Sequence, residues 1–173
     1  MRMLYLIVAL VCIHAFSYSQ DTLNRRDENS KKIGKWIEYF PNEKEFEYAV
    51  INYVDGLRQG EFKAYLKDST MYIQGSFFND KLHGEHFTYY KTGELNMQTF
   101  YLNGKENGTR TTYYEDGVKY SETEYKNNRK DGAYTCYYSS GNIKRQGQYL
   151  NEEKSGIWKE FSENGTLTNT TNH

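Results

Sequence analysis

The chain has 173 residues, of which 17% are aromatic and 26% charged, with 22 basic against 23 acidic side chains, 18 tyrosines and one proline. That length bounds one domain, and the near balance of charge leaves no basic block for nucleic acid and no polybasic cluster for anionic lipid. Apolar residues make up 37%, much of it aromatic or close to the N-terminus, so a thick aliphatic core is excluded.

The chain opens with Arg2, an apolar run from Leu4 to Phe16, and small residues at Ser17 and Ser19. This is the pattern of a secretory signal peptide over residues 1–19, with cleavage before Gln20. A membrane span would need about 20 apolar residues. The sequence therefore predicts export to the periplasm or exterior of a bacterium, with no membrane contact after cleavage. Val11 is a poor cleavage residue for a lipoprotein at Cys12. Loss of Cys12 leaves Cys136 as the one cysteine, so no intramolecular disulfide is expected.

After a lead-in over residues 20–30, a repeat occupies residues 31–168, and residues 169–173 read as a tail. Gly60, Gly84, Gly108, Gly132 and Gly156 fall 24 residues apart, with Gly34 preceding by 26. Five residues after each comes a ring: Tyr39, Tyr65, Tyr89, Tyr113, Tyr137 and Phe161. Nine after the anchor come Gly93, Gly117, Gly141 and Gly165, and seventeen after it Phe77, Tyr101, Tyr125 and Tyr149.

Segments such as FTYY, TTYY and YTCYY suit a pleated, half-buried surface, and the Asp-Gly, Asn-Gly and Ser-Gly pairs supply hairpin turns. No later segment has helical periodicity. The expected fold is all-β: an elongated single-sheet array of about six antiparallel β-hairpins with a 24-residue period. A lone hairpin is marginal in water, so the hairpins must bury faces against each other. The glycine and the ring five residues later are the expected spine, the glycine admitting a neighbouring ring over its backbone and an unusual dihedral.

GKWIEYF, YYKTGEL and YLNGKENG resemble MORN repeats, specifically the bacterial MORN-repeat variant, over about residues 27–168. The resemblance implies an interaction scaffold, a lipid-binding surface or an antitoxin partner of a bacterial toxin, and it brings no catalytic motif. Export argues against a cytosolic toxin. The first two units carry PNE and DST where others have x-x-Gly, which predicts different turns, and the sixth is expected to stop after one strand as a cap.

The chemical candidates are weak. Cys136 occupies a variable place filled elsewhere by Glu38, Ala64, Thr88, Thr112 and Glu160, with no histidine in its own unit to activate it. His83 and His86 in HGEH lack the helical spacing of a zinc pair and have no evident further ligands. Glu43, Glu45 and Glu47 alternate onto one solvated strand face. Asn107, Asn164 and Asn169 begin glycosylation sequons, but two lie in turns that need Asn-Gly. No cofactor, no metal and no catalytic residue is expected.

The recognition surface is sought in rings on the strand face opposite that spine. Tyr90, Tyr114 and Tyr138, in a column with Phe40 and Leu66, share parity with Trp36, Phe62, Tyr134 and Trp158. Such rings give large contact area at low entropic cost, and His86 and Arg110 interrupt the column. The alternative is that both faces are needed to cover a thin sheet. The expected function is an exported, non-enzymatic scaffold for an unidentified protein partner; a carbohydrate or cell-wall binder is the second reading.

Overall fold

The computed structural model describes residues 22–40 and 47–173. The expected signal peptide, Cys12, the PNE turn, Glu43 and Glu45 lie outside them. The strands are β1 (Arg25–Arg26), β2 (Lys32–Tyr39), β3 (Tyr48–Val54), β4 (Leu57–Tyr65), β5 (Met71–Phe78), β6 (Lys81–Leu82), β7 (Gly84–Tyr89) and β8 (Leu95–Leu102). They continue as β9 (Lys105–Glu106), β10 (Gly108–Tyr113), β11 (Lys119–Lys126), β12 (Arg129–Tyr137), β13 (Ile143–Leu150), β14 (Glu153–Phe161) and β15 (Leu167–Asn172). They form one open antiparallel sheet in chain order, with the short β6 and β9 pairing back onto β5 and β8. The lead-in is not free, since β1 pairs with the edge of β2. Nor does the sixth unit stop after one strand: residues of the expected tail extend β15, which pairs with β14.

Two turn geometries alternate. At one end, as in Tyr90–Glu94, the Tyr90 N–H donates to the Glu94 carbonyl (2.8 Å), and Gly93 takes a φ of +90° and donates to Tyr90 (2.9 Å). The DST turn, expected to differ, does not. Ser69 adopts a φ of +67°, and Leu66 and Ser69 make the same two hydrogen bonds. The reason is local: the Asp68 carboxylate accepts the Thr70 N–H (3.0 Å), an Asx turn that prearranges the loop, as Asp116 does for Val118.

At the other end sit two-residue turns with both φ values positive: Asp55-Gly56, Asn79-Asp80, Asn103-Gly104, Asn127-Asn128 and Asn151-Glu152. This is the type I′ geometry that matches strand twist, and asparagine tolerates it better than most residues. Each tip also reaches the preceding unit. The N–H groups of Gly104, Asn128 and Glu152 donate to the carbonyls of Leu82, Glu106 and Lys130 at 2.7, 2.9 and 2.9 Å.

Strand alternation separates two faces, and they are unequal. The residues one place after the anchors, from Lys35 to Ile157, are all exposed. On the other face lie the buried side chains, including Ile51, Tyr53, Phe62, Ala64, Thr99, Thr123, Tyr125, Cys136 and Trp158. This packed face carries the residues two, four and six places after each anchor. The expected assignment is thereby reversed: Tyr39, Tyr65, Tyr89, Tyr113, Tyr137 and Phe161 stand on the open face, Tyr39 at 69% exposure, while Trp158, expected in the recognition column, is 2% exposed.

The packed face is organised by one row. Across the sheet it reads Trp36, Ile51, Phe62, Gly75, His86, Thr99, Arg110, Thr123, Tyr134, Gly147, Trp158 and Thr171. Large residues on the first strand of each hairpin alternate with smaller ones on the second. A Cβ added to Gly147 would lie 2.3 Å from the Trp158 ring, and one on Gly75 would lie 2.8 Å from Phe62 and 2.9 Å from His86. Over these glycines the rings of adjacent hairpins meet: Tyr134 stacks on Trp158 at 5.4 Å and Phe62 lies 6.0 Å from His86.

The ring seventeen places after the anchor completes each hairpin by packing on the large member of the row. Phe77 meets Phe62 at 4.6 Å, Tyr101 meets His86 at 5.4 Å and Tyr149 meets Tyr134 at 5.6 Å. The anchor glycines lie opposite these rings in register, yet no ring atom comes within 4 Å of where a Cβ would stand. Their role is the dihedral. All six have positive φ, and at Gly132 (φ +126°) three residues, Asp131 to Ala133, bulge opposite the single Glu124.

Tyr90, Tyr114 and Tyr138 link one hairpin to the next. Their hydroxyls donate to the carbonyls of Tyr113, Tyr137 and Phe161 at 2.6, 2.9 and 2.8 Å. Replacing Tyr114 by Phe keeps the ring and removes one such bond; urea denaturation should show a loss of about 1 kcal/mol, and the same change at the exposed Tyr39 no measurable loss.

Candidate functional site

The interruption at His86 and Arg110 in the ring row is a closed polar cluster. Glu106, 4% exposed, accepts from Thr99 Oγ1 (2.7 Å) and from Arg110 Nε (2.6 Å), and its second oxygen accepts from the far nitrogen of the guanidinium. Arg110 also donates to the Tyr125 hydroxyl (2.8 Å) and lies 4.3 Å over that ring. The Glu106 N–H is capped by the Asn128 side chain in the next connector turn (2.6 Å). A carboxylate–guanidinium pair thus takes the place of a ring pair without leaving its charged groups unsatisfied.

His86 sits between Phe62 and Tyr101 with its Nδ1 buried and unpartnered, and the Nδ1 of His83 is likewise buried and unpartnered. Burial holds the His86 imidazole below its ordinary value, with Glu106 opposing weakly. Among the described residues no group of three or more His, Cys, Asp or Glu side chains could hold a metal. Cys136 is buried, with Ser121 and Arg145 as its cross-strand neighbours. Burial raises the Tyr134 hydroxyl.

The other expected recognition residues are engaged within the fold. Tyr90, Tyr114 and Tyr138 are half-buried with their hydroxyls committed. Trp36 lies under Arg26 (5.2 Å) and Lys32 (4.7 Å) and donates to the Arg25 carbonyl (3.1 Å). Trp158 donates to the Gln148 carbonyl (3.1 Å) beneath Lys154 and Tyr149.

The open face presents an aromatic strip instead. Tyr48 stacks on Tyr65 at 5.0 Å and leans on Tyr39 at 6.1 Å, and the strip continues through Tyr89, Tyr113, Tyr137 and Phe161. Tyr137 donates to Glu122 (2.6 Å), and burial together with this carboxylate pushes its hydroxyl up to about 12. Phe100 and Ile157 add exposed apolar area on the same face.

Sequence reasoning missed the small partners of the row, Gly75, Thr99, Thr123 and Gly147, and it missed Glu106. The signal was present, since each of those four falls fifteen residues after its anchor.

A single open sheet of recurring hairpins, stapled unit to unit, is a β-hairpin repeat protein. The MORN repeat variant matches four consecutive segments, residues 82–105, 106–127, 130–151 and 154–173, about half of the chain, and the chain belongs to that family. MORN repeats are modules of protein or membrane interaction, and the family is non-catalytic. Comparison with curated proteins gives no match.

Two measurements check the cluster. Glu106→Ala strands a partly buried guanidinium and should cost about 3 kcal/mol, whereas Glu61→Ala at an exposed site should cost under about 0.5 kcal/mol. Because the folded-state value of His86 is depressed, the unfolded chain takes up its proton first. Stability should therefore fall as pH drops below the ordinary value of 6.5, until the folded-state value is passed. His86→Phe should flatten that part of the stability–pH curve.

Proposed function

We propose that the protein is an exported, non-enzymatic scaffold that holds a protein partner on the aromatic strip of its open face. The observation that carries this reading is the cross-strand row Tyr39, Tyr48 and Tyr65, with Tyr48 stacked on Tyr65, on the face of the sheet opposite the one its buried side chains pack. Rigid tyrosines ranked across strands offer contact area at low entropic cost. A wide sheet face is suited to another folded surface. Export rests on Arg2, the apolar run to Phe16 and the small residues before Gln20.

The experiment is affinity capture from the envelope fraction of the source organism. The wild-type chain is compared with a Tyr39→Ala, Tyr65→Ala variant whose β signal in circular dichroism is unchanged. A protein retained by the wild type and lost with the variant is the expected result. Equal capture by both would remove the open-face strip as the docking surface.

A further inference from the structure

The packed face is not filled everywhere. Where Arg110 is drawn onto Glu106, the row lacks a ring, and beside it lies an open recess of about 530 Å³. Its lining includes Tyr90, Tyr114, Tyr120 and Tyr134, the hydroxyl residues Thr112 and Ser121, and Asn96 and Lys130. The volume falls within the range of about 300–1,000 Å³ typical of small-molecule sites.

Its chemistry is specific in two respects. Aromatic faces alternate with neutral hydroxyl and amide groups. Thr112 and Ser121 hydrogen-bond only each other (2.7 Å), while the Asn96 amide and the Tyr120 hydroxyl have no hydrogen-bond partner among the described residues. Tyr120 is 49% exposed and meets Tyr114 edge-on at 5.1 Å. Apolar ring faces interspersed with uncharged donors and acceptors match a pyranose, which has a C–H face and a rim of hydroxyls.

The second respect is charge. Arg110 is neutralised by Glu106, but the Lys130 ammonium lies over the Tyr149 ring (5.1 Å) with no ion pair among the described residues, the nearby Glu152 carboxylate being taken by the Lys130 backbone N–H (2.6 Å). A cation without a direct ion pair, in a recess whose other polar groups are neutral or paired, selects an anionic substituent on the ligand. We propose that this recess binds a short acidic saccharide, one or two pyranose rings carrying a carboxylate, with the sugar against Tyr114, Tyr120 and Tyr134 and the carboxylate on Lys130. The site is on the face opposite the tyrosine strip, so it stands or falls separately from protein docking.

The test is calorimetric titration of the full chain with digalacturonate, and with cellobiose as the neutral counterpart. Saturable binding of digalacturonate is expected, with cellobiose weaker by about tenfold or more. Lys130→Met should bring digalacturonate down to the cellobiose level, and Tyr120→Ala should weaken both sugars. The Tyr39→Ala, Tyr65→Ala variant should bind as the wild type does. Asn96→Ala gives an independent readout if either recess variant melts early. Absence of binding to both sugars overturns the proposal. So does equal affinity for the two, and so does digalacturonate binding that survives both Lys130→Met and Tyr120→Ala.

Discussion

The structure depends on large side chains on the first strand of each hairpin lying beside small ones on the second. A single-layer sheet has no second layer to cover it, so its rings must be buried laterally, against each other. Neighbouring strands are about 4.8 Å apart, so large side chains placed on alternate strands stand about twice that distance apart and must lean to touch. Glycine at positions 75 and 147 resolves this by letting the flanking rings lean over the empty site, which is how Trp158 is buried in a chain without a conventional core. The tyrosine hydroxyls at one margin and the turn tips at the other then fix each hairpin to its neighbour with directional bonds.

The cluster at Glu106 obeys the same constraint by other means. Arg110 cannot stack as a ring does, but its planar guanidinium lies over Tyr125 while its nitrogens engage Glu106, so it fills a ring's place and brings its counter-ion with it. The substitution leaves unfilled space beside Tyr120, and a uniform ring row would have closed it. His86 is the less comfortable member, a polar ring in an apolar slot with one nitrogen unpartnered.

Much of the architecture was legible in the sequence because a 24-residue period is independent of three-dimensional register. The hairpins, the ring columns and the dihedral role of the anchor glycines followed from counting. Which face is packed did not follow, because that depends on the cross-strand partner. Tyr39 and Phe40 are chemically alike, and only the small residues opposite Phe62, Tyr134 and Trp158 distinguish their faces. The turn at Asp68-Ser69-Thr70 was misjudged because the Asp68 carboxylate, accepting the Thr70 N–H, holds Ser69 in the conformation that glycine takes elsewhere. The candidate site was legible only as an interruption: His86 and Arg110 stood out, but Glu106, the residue that makes Arg110 tenable, looked like one more polar connector residue.

The claim that lateral large-beside-small packing holds the sheet together is tested most directly by a double-mutant cycle at Gly147 and Trp158, read by urea denaturation. Gly147→Ala in the wild type forces the added methyl against the indole and should cost about 1–3 kcal/mol. In a Trp158→Leu background the obstacle is gone, and the same change should cost at least about 1 kcal/mol less. Costs that add to within about 0.5 kcal/mol would contradict the account and place the stability of the sheet elsewhere.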